Sequence, residues 1–371
     1  MSANTGSSQS KKLPGALLSN LALRFRLFKR KYSTPSSYKK LFVTIVMYLL
    51  VFGLAFVFIY PFLYMIVTSL MSNSDLNSSS VHWLPTELKF ENYSIAYQLL
   101  KGKMYAINSA KVTILATAGH VIACSFIGYG FARYNFPLKK LLFALVILAF
   151  IVPTQTIIIP SYLSYANIKW WNEAKFLESG FYAAAPHIAG VVNKVMNSLF
   201  GNGWLNTYYP FIIPSFFGFG LKGALYIFLF RQFYLTVPKS LEEAARIDGC
   251  GFMKTYWKIV FPLAKATLVV AIVLSIVWHW NDAYEPGIYI DSPSKQFLPP
   301  RIRVLVEAAN AAPENQTEMM RNLGLEDGED VLNDAVIMAG AAIISAPVLV
   351  FFAFAQSQFM QGIERSGITG E

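Results

Sequence analysis

The side chains best suited to specific recognition lie between Pro238 and Gly251, where Glu243, Arg246 and Asp248 flank Ala244 and Ala245. Two alanines offer a small, flat surface on which another backbone can come close, and the flanking charges set its register. Ser240 and Glu243 have the spacing of a capping box, which predicts a helix starting there with each residue bonded to the other's backbone N–H. Gly249 is expected to stop it after about two turns. Gly251 then keeps the chain loose before Phe252, Met253, Tyr256, Trp257 and Ile259 lead to Pro262 and an apolar segment. Isolated helices below about 12 residues are marginal in water, so this one must dock, either on its own bundle or on another protein.

Other spacings imitate sites without their context. Gly218-Phe219-Gly220-Leu221-Lys222-Gly223 fits the letters of a dinucleotide fingerprint, but it is predicted to lie inside an apolar helix with no preceding strand, so close helix packing is expected. His120 and His279 have no further ligands at metal spacing, which favours a satisfied packing role. The acidic run Glu326 to Asp330 lacks the alternating order of a calcium loop and reads as a solvated outer loop. Cys124 and Cys250 supply neither a disulfide framework nor a zinc site. Ser161, Ser215, Ser275 and Ser345 lack a nucleophile motif or paired base. The sequence has no phosphate loop and so no sign of an ATPase of its own; no cofactor is expected in this chain.

Membrane helices must position these residues. Only 14% of the 371 residues are charged, against about a quarter in a soluble domain, and Leu41 to Leu70 carries no charge at all. Forty mostly polar residues precede that run, unlike a secretory signal, so it is expected to stay in the mature protein. Six spans of about 20 residues are predicted near 41–70, 110–132, 141–163, 208–230, 260–280 and 335–356. The net charge of +10 arises mainly from nine Lys/Arg and no acid in residues 1–40, a basic tail beside a span and not a nucleic-acid surface. With the N-terminus inside, the inner segments hold 19 basic and 5 acidic residues and the outer ones 11 and 16, which makes both termini cytoplasmic. Gly180 to Phe200 could pass for a seventh span. Its apolar residues Ile188, Val191, Val192, Val195, Met196 and Leu199 recur with helical period around polar Asn193, Lys194 and Asn197, so it is expected to lie on the outer membrane surface or on a partner.

Glu243-Ala244-Ala245, three residues, Gly249, nine residues and then Ile259-Val260-Phe261-Pro262 resembles the EAA loop of membrane subunits of binding-protein-dependent ABC importers. Phe261 departs from the leucine usual there. Gly130-Phe131-Ala132-Arg133 with Phe136 resembles the cytoplasmic end of that family's second core helix, and Trp280-Asn281-Asp282 the carbohydrate-importer motif after the fifth span. The end, from Gln356 through Gly362 to Gly370, resembles the tail of the smaller maltose-type permeases.

The resemblance covers roughly residues 90–371. It implies an all-α polytopic membrane protein with six transmembrane helices in the type I ABC importer permease fold, with enlarged extracytoplasmic loops. The domain map becomes a basic tail (1–40), a first span (41–70), an extracytoplasmic loop (71–108) and a core (109–371) holding coupling loop 238–262 and outer loops 164–207 and 281–334. The long outer loops are expected to dock the binding protein or brace the partner permease. Glu243, Ala244, Ala245, Arg246, Asp248, Gly249, Ile259 and Pro262 become the ATPase-coupling residues.

Lys222, His120, Trp280 and Asn281 are candidates for the translocation path, while Trp278, Trp280, Trp170 and Trp171 also suit interfacial anchoring. The implied partners are a second permease, a cytoplasmic ATPase dimer that uses ATP and Mg, an extracytoplasmic substrate-binding protein and membrane lipid, in the plasma membrane of a prokaryote. The reading is a sugar importer subunit that is not itself an enzyme. An ion-coupled secondary transporter is the alternative, although no acid lies deep in a predicted span.

Overall fold

A computed structural model describes residues 35–78, 83–168, 186–201, 203–322 and 332–365. Most of the basic tail, Trp170, Trp171 and the acidic run 326–330 lie outside the described residues. Among those described, every regular element is helical and none is a strand.

The chain divides into two units, residues 1–64 and 65–371. In the first, the described residues belong to helix α1 (Pro35–Ser69), and every side chain from Phe42 to Tyr64 is exposed. Beyond Lys39 and Lys40 this helix carries no charge, and its candidate span Tyr38–Ser69 has a mean hydropathy of 2.8, a surface suited to lipid.

The second unit is built around α3 (Gly102–Arg133), which packs α2 (Glu91–Leu99) at its start and α7 (Gly223–Thr236) and α10 (Lys265–Asn281) along its length. Helix α13 (Asp334–Arg365) packs on α10 and α2. Val112, Ala116, His120, Cys124 and Gly128 recur every four residues on α3 and are all buried. Gly128 lets α7 approach so closely that an added Cβ would stand 2.8 Å from the Phe230 Cβ. Lipid tails are as apolar as leucine, so such close packing and interhelical hydrogen bonds hold membrane helices together, each bond contributing about 0.6 kcal/mol on average. Here they include Thr117 Oγ1 to Ser275 Oγ at 3.0 Å, Ser125 Oγ to Tyr234 OH at 2.6 Å, and Tyr256 OH donating to Ser125 Oγ at 2.9 Å.

Several predicted spans are broken. Among the described residues, only α1, α3 and α13 are long and apolar enough to cross a bilayer singly, and two bent pairs raise the candidates to five. The segment predicted at 141–163 is α4 (Lys139–Ile151) and α5 (Thr154–Ala166), bent by 104°. Pro153 causes the break, because it has no N–H and pushes Val152 into extended backbone, ψ 123°.

The segment predicted at 208–230 is not one helix either. Pro210 and Pro214 limit it to single turns, and Gly218, Gly220 and Lys222 have φ of 74°, 94° and 63° before α7 begins. The glycine-rich stretch therefore sits at a break and not inside a helix, although its close packing is as expected: an added Cβ at Gly218 would stand 2.6 Å from the Ile127 Cδ1. Fourteen residues give α7 a length of about 21 Å, short of a bilayer core of about 30 Å.

At 32 residues, α3 is about 48 Å long, so its two ends are well apart. The predicted outer loops meet at its start. Asn108 Nδ2 donates to the Ser294 and Gln296 carbonyls at 3.1 Å each, and Ser109 Oγ accepts the Leu298 N–H at 2.9 Å. Asn206 Oδ1 accepts the backbone N–H groups of Asp291 and Ser292 at 2.6 and 2.9 Å, tying 164–207 to 281–334. Helix α6 (Pro186–Phe200) turns Ala189 and Asn193 inward and leaves Ile188, Val191 and Val195 exposed. Its apolar stripe is the open face.

Candidate functional site

The other end of α3 holds the loop predicted to recognise a partner. Helix α8 (Ser240–Ile247) forms where expected, but its N-cap is Lys239 and no side chain caps it. The Ser240–Glu243 capping box is absent because Ser240 is already the first helical residue. Its C-terminus matches expectation: Gly249 has φ 76°, Cys250 N–H donates to Ala245 O at 2.9 Å, and Gly249 N–H to Arg246 O at 3.0 Å. Those two bonds are a Schellman motif.

Glu242, which sequence reasoning passed over in favour of Glu243, anchors this helix. Its Oε1 lies 2.6 Å from Arg133 Nε, with the two side chains 7% and 6% exposed. Glu242 Oε2 accepts from Tyr129 OH at 3.0 Å, and Arg133 Nη2 donates to Val237 O at 2.5 Å. A lone buried charge would be costly, so the pair forces α8 onto the end of α3. Ala245, one turn on, is buried on the same face. It does not belong to the outward surface expected of the alanine pair.

Glu243, Ala244, Arg246, Asp248 and Gly249 are exposed, and Ile247 is 87% exposed, a branched apolar side chain left in the open beside Ala244. The signal for this division was in the sequence: positions 242 and 245 are three apart and share one helical face.

Beyond Gly251, α9 (Phe252–Thr255) runs into a π turn over Tyr256–Val260 and a short helix Phe261–Leu263. Ile259 is half-buried and Pro262 exposed. The chain then bends by 77° into α10. Tyr129, the partner of Glu242, stacks on Phe252 at 5.8 Å and lies 5.3 Å from Tyr256. Tyr256 in turn bonds Ser125 of α3. One connected set of rings and hydroxyls thus ties α8, α9 and the π turn to α3 and α7.

The residues proposed for a path are scattered. His120 is buried, its Nε2 2.8 Å from Phe219 O and its Nδ1 3.2 Å from His279 Nε2, a pairing that spacing 159 residues apart could not reveal. Trp280 is buried and donates Nε1–H to Ile344 O at 2.9 Å, so it is not an exposed interfacial anchor. Asn281 is exposed. Lys222, half-buried, holds Nζ 4.6 Å over the Trp278 ring beside a largely apolar cavity of about 360 Å³. Among the described residues, no group of three or more His, Cys, Asp or Glu could hold a metal.

A bundle of interrupted membrane helices with a short helix clamped across one end is an ABC importer permease fold. It matches the crystal structure of a bacterial ABC transporter involved in the import of the acidic polysaccharide alginate, with a TM-score of 0.60 at 18% identity, over 88% of this chain and 98% of the other. Residues 124–365 match the family described as binding-protein-dependent transport system inner membrane component, and the chain belongs to that family. Among curated relatives, the melibiose/raffinose/stachyose import permease protein MelC of Bacillus subtilis is 28% identical over 84% of this chain and 91% of its own. The arabinooligosaccharides transport system permease protein AraQ of Halalkalibacterium halodurans is 23% identical over 85% and 93%.

Proposed function

We propose that this chain is one permease half of an ATP-driven importer for a sugar or oligosaccharide, with six membrane passages, cytoplasmic termini and α8 as the lever that a partner ATPase moves. The assembly would hold a second permease, an ATPase dimer using ATP and Mg, and an extracytoplasmic substrate-binding protein. The sugars named for MelC and AraQ support the substrate class. Gathering of the predicted outer loops at one end of α3 and of 238–262 at the other supports the topology.

The observation that carries the reading is the two-sidedness of α8. One face is fixed by the buried Glu242–Arg133 pair, while Ala244 and Ile247 stand open on the other. A partner pulling on the open face moves a helix that cannot slip on its own bundle. The displacement passes through Tyr129, Phe252 and Tyr256 to the bend before α10, a rigid-body transmission. Glu243, Arg246 and Asp248 would set the register of that contact, and Gly249 the helix end. Co-purification with the cognate ATPase tests it. Ile247→Asp and Ala244→Trp should each lower ATPase retention at least tenfold with normal membrane insertion. Full retention in both would remove α8 as the contact.

A further inference from the structure

At the end of the bundle that carries the predicted outer loops, four elements enclose a cavity of about 210 Å³. They are α5, the single turns and irregular stretch before α7, the last turn of α10 and helix α11 (Tyr284–Tyr289). We propose that this cavity, with Ser161, Tyr165, His279, Glu285 and Tyr289 as its polar groups and Phe211 in its apolar wall, binds a neutral, polyhydroxylated solute such as a sugar ring. The proposal rests on the import reading and locates a subsite for the cargo within this one chain.

Interrupted backbone points to a cavity with a use. Irregular chain at membrane depth is tolerated where it is buried in protein or lines a wet cavity, and Phe219, Gly220 and Leu221 line this one. The histidine pair fixes that stretch in a single sense. A carbonyl can only accept, so the His120 nitrogen facing Phe219 O carries the proton, and His120 Nδ1 must accept from His279 Nε2–H. His279 Nδ1 is then a lone-pair acceptor on a residue of the cavity wall.

Glu285 defines the ligand's charge. Among the described residues its carboxyl makes no ion pair, and no Lys or Arg lines the cavity. Its backbone is set by Asp282 Oδ1, which accepts the Tyr284 and Glu285 N–H groups at 3.0 and 3.2 Å. Burial first, and the neighbouring Asp282 second, push the Glu285 carboxyl up to about 8. Near pH 7 it keeps its proton and can both donate and accept, which matches a hydroxyl and not a cation. The titratable groups around it are Asp282, His279, Tyr165 and Tyr289. Tyr165 and Tyr289 pack edge to face at 5.2 Å, and Phe211 lies 5.8 Å from Tyr289, giving apolar walls for the C–H faces of a ring.

The test uses the complete complex in proteoliposomes with raffinose, an arabinotriose and a maltotriose as probes. Uptake of none of them by the wild type would count against the import reading and the site together. For a transported sugar, Ser161→Cys should be labelled by maleimide at least fivefold more slowly when that sugar is present. Glu285→Ala should raise KM at least tenfold and Glu285→Gln less than threefold. Wild-type uptake should fall as pH rises through about 8, and Glu285→Gln should lack that step. Labelling of Ser161→Cys at one rate with and without a transported sugar would overturn the site and leave the import reading standing, even where Glu285→Ala fails to fold.

Discussion

Replacing Glu242 by alanine should loosen α8 from its own bundle. Arg133 would keep its bond to the Val237 carbonyl but lose the carboxylate 2.6 Å from Nε, with only 6% of its side chain in solvent. Breaking a buried pair by removing one partner costs about 3–5 kcal/mol. At about 1.4 kcal/mol per decade, that is a shift of roughly 10²- to 10⁴-fold toward open states of the loop. Hydrogen exchange reads this directly, since amides in α8 report their opening equilibrium. Exchange across 240–250 should accelerate at least a hundredfold in Glu242→Ala, while amides at the start of α3 stay unchanged. Arg133→Met with Glu242→Leu should restore much of the protection, because apolar replacement of a buried pair is often neutral or better. Wild-type exchange in Glu242→Ala would refute the idea that this pair holds the helix.

Gly249→Ala should cost about 1 kcal/mol, seen as faster exchange of α8 alone, because its φ is 76° while space for a Cβ is open. A cysteine at Lys254 should resist impermeant reagent added outside sealed cells; labelling from outside would overturn the proposed topology. For Glu285 the folded state binds its proton more tightly than the usual 4.5, so stability should fall as pH rises from about 4.5 to about 8 and then level off. Glu285→Gln should flatten that slope in thermal unfolding of the solubilised protein.

Membrane character, the start of α8 and the Gly249 stop were legible because each depends on local composition: an uncharged run, a short helical stretch after Pro238, a glycine after two turns. Breaks in the third and fourth segments were marked by Pro153, Pro210 and Pro214, yet hydropathy averages over a window and hides a bend. Ser240 and Glu243 misled because the capping spacing ignores where the chain turns in, and Lys239 already has helical backbone. Arg133–Glu242 and His120–His279 join residues more than a hundred positions apart, so only packing of α3 against α8 and α10 brings them together.

ATP-dependent sugar uptake is the most direct measurement. Proteoliposomes should hold this chain with its partner permease and ATPase, with raffinose, arabinotriose or maltotriose supplied with the cognate binding protein. The account predicts accumulation that requires enclosed ATP and the ATPase and survives collapse of proton and sodium gradients. Accumulation without the ATPase, or driven by either gradient alone, would contradict it.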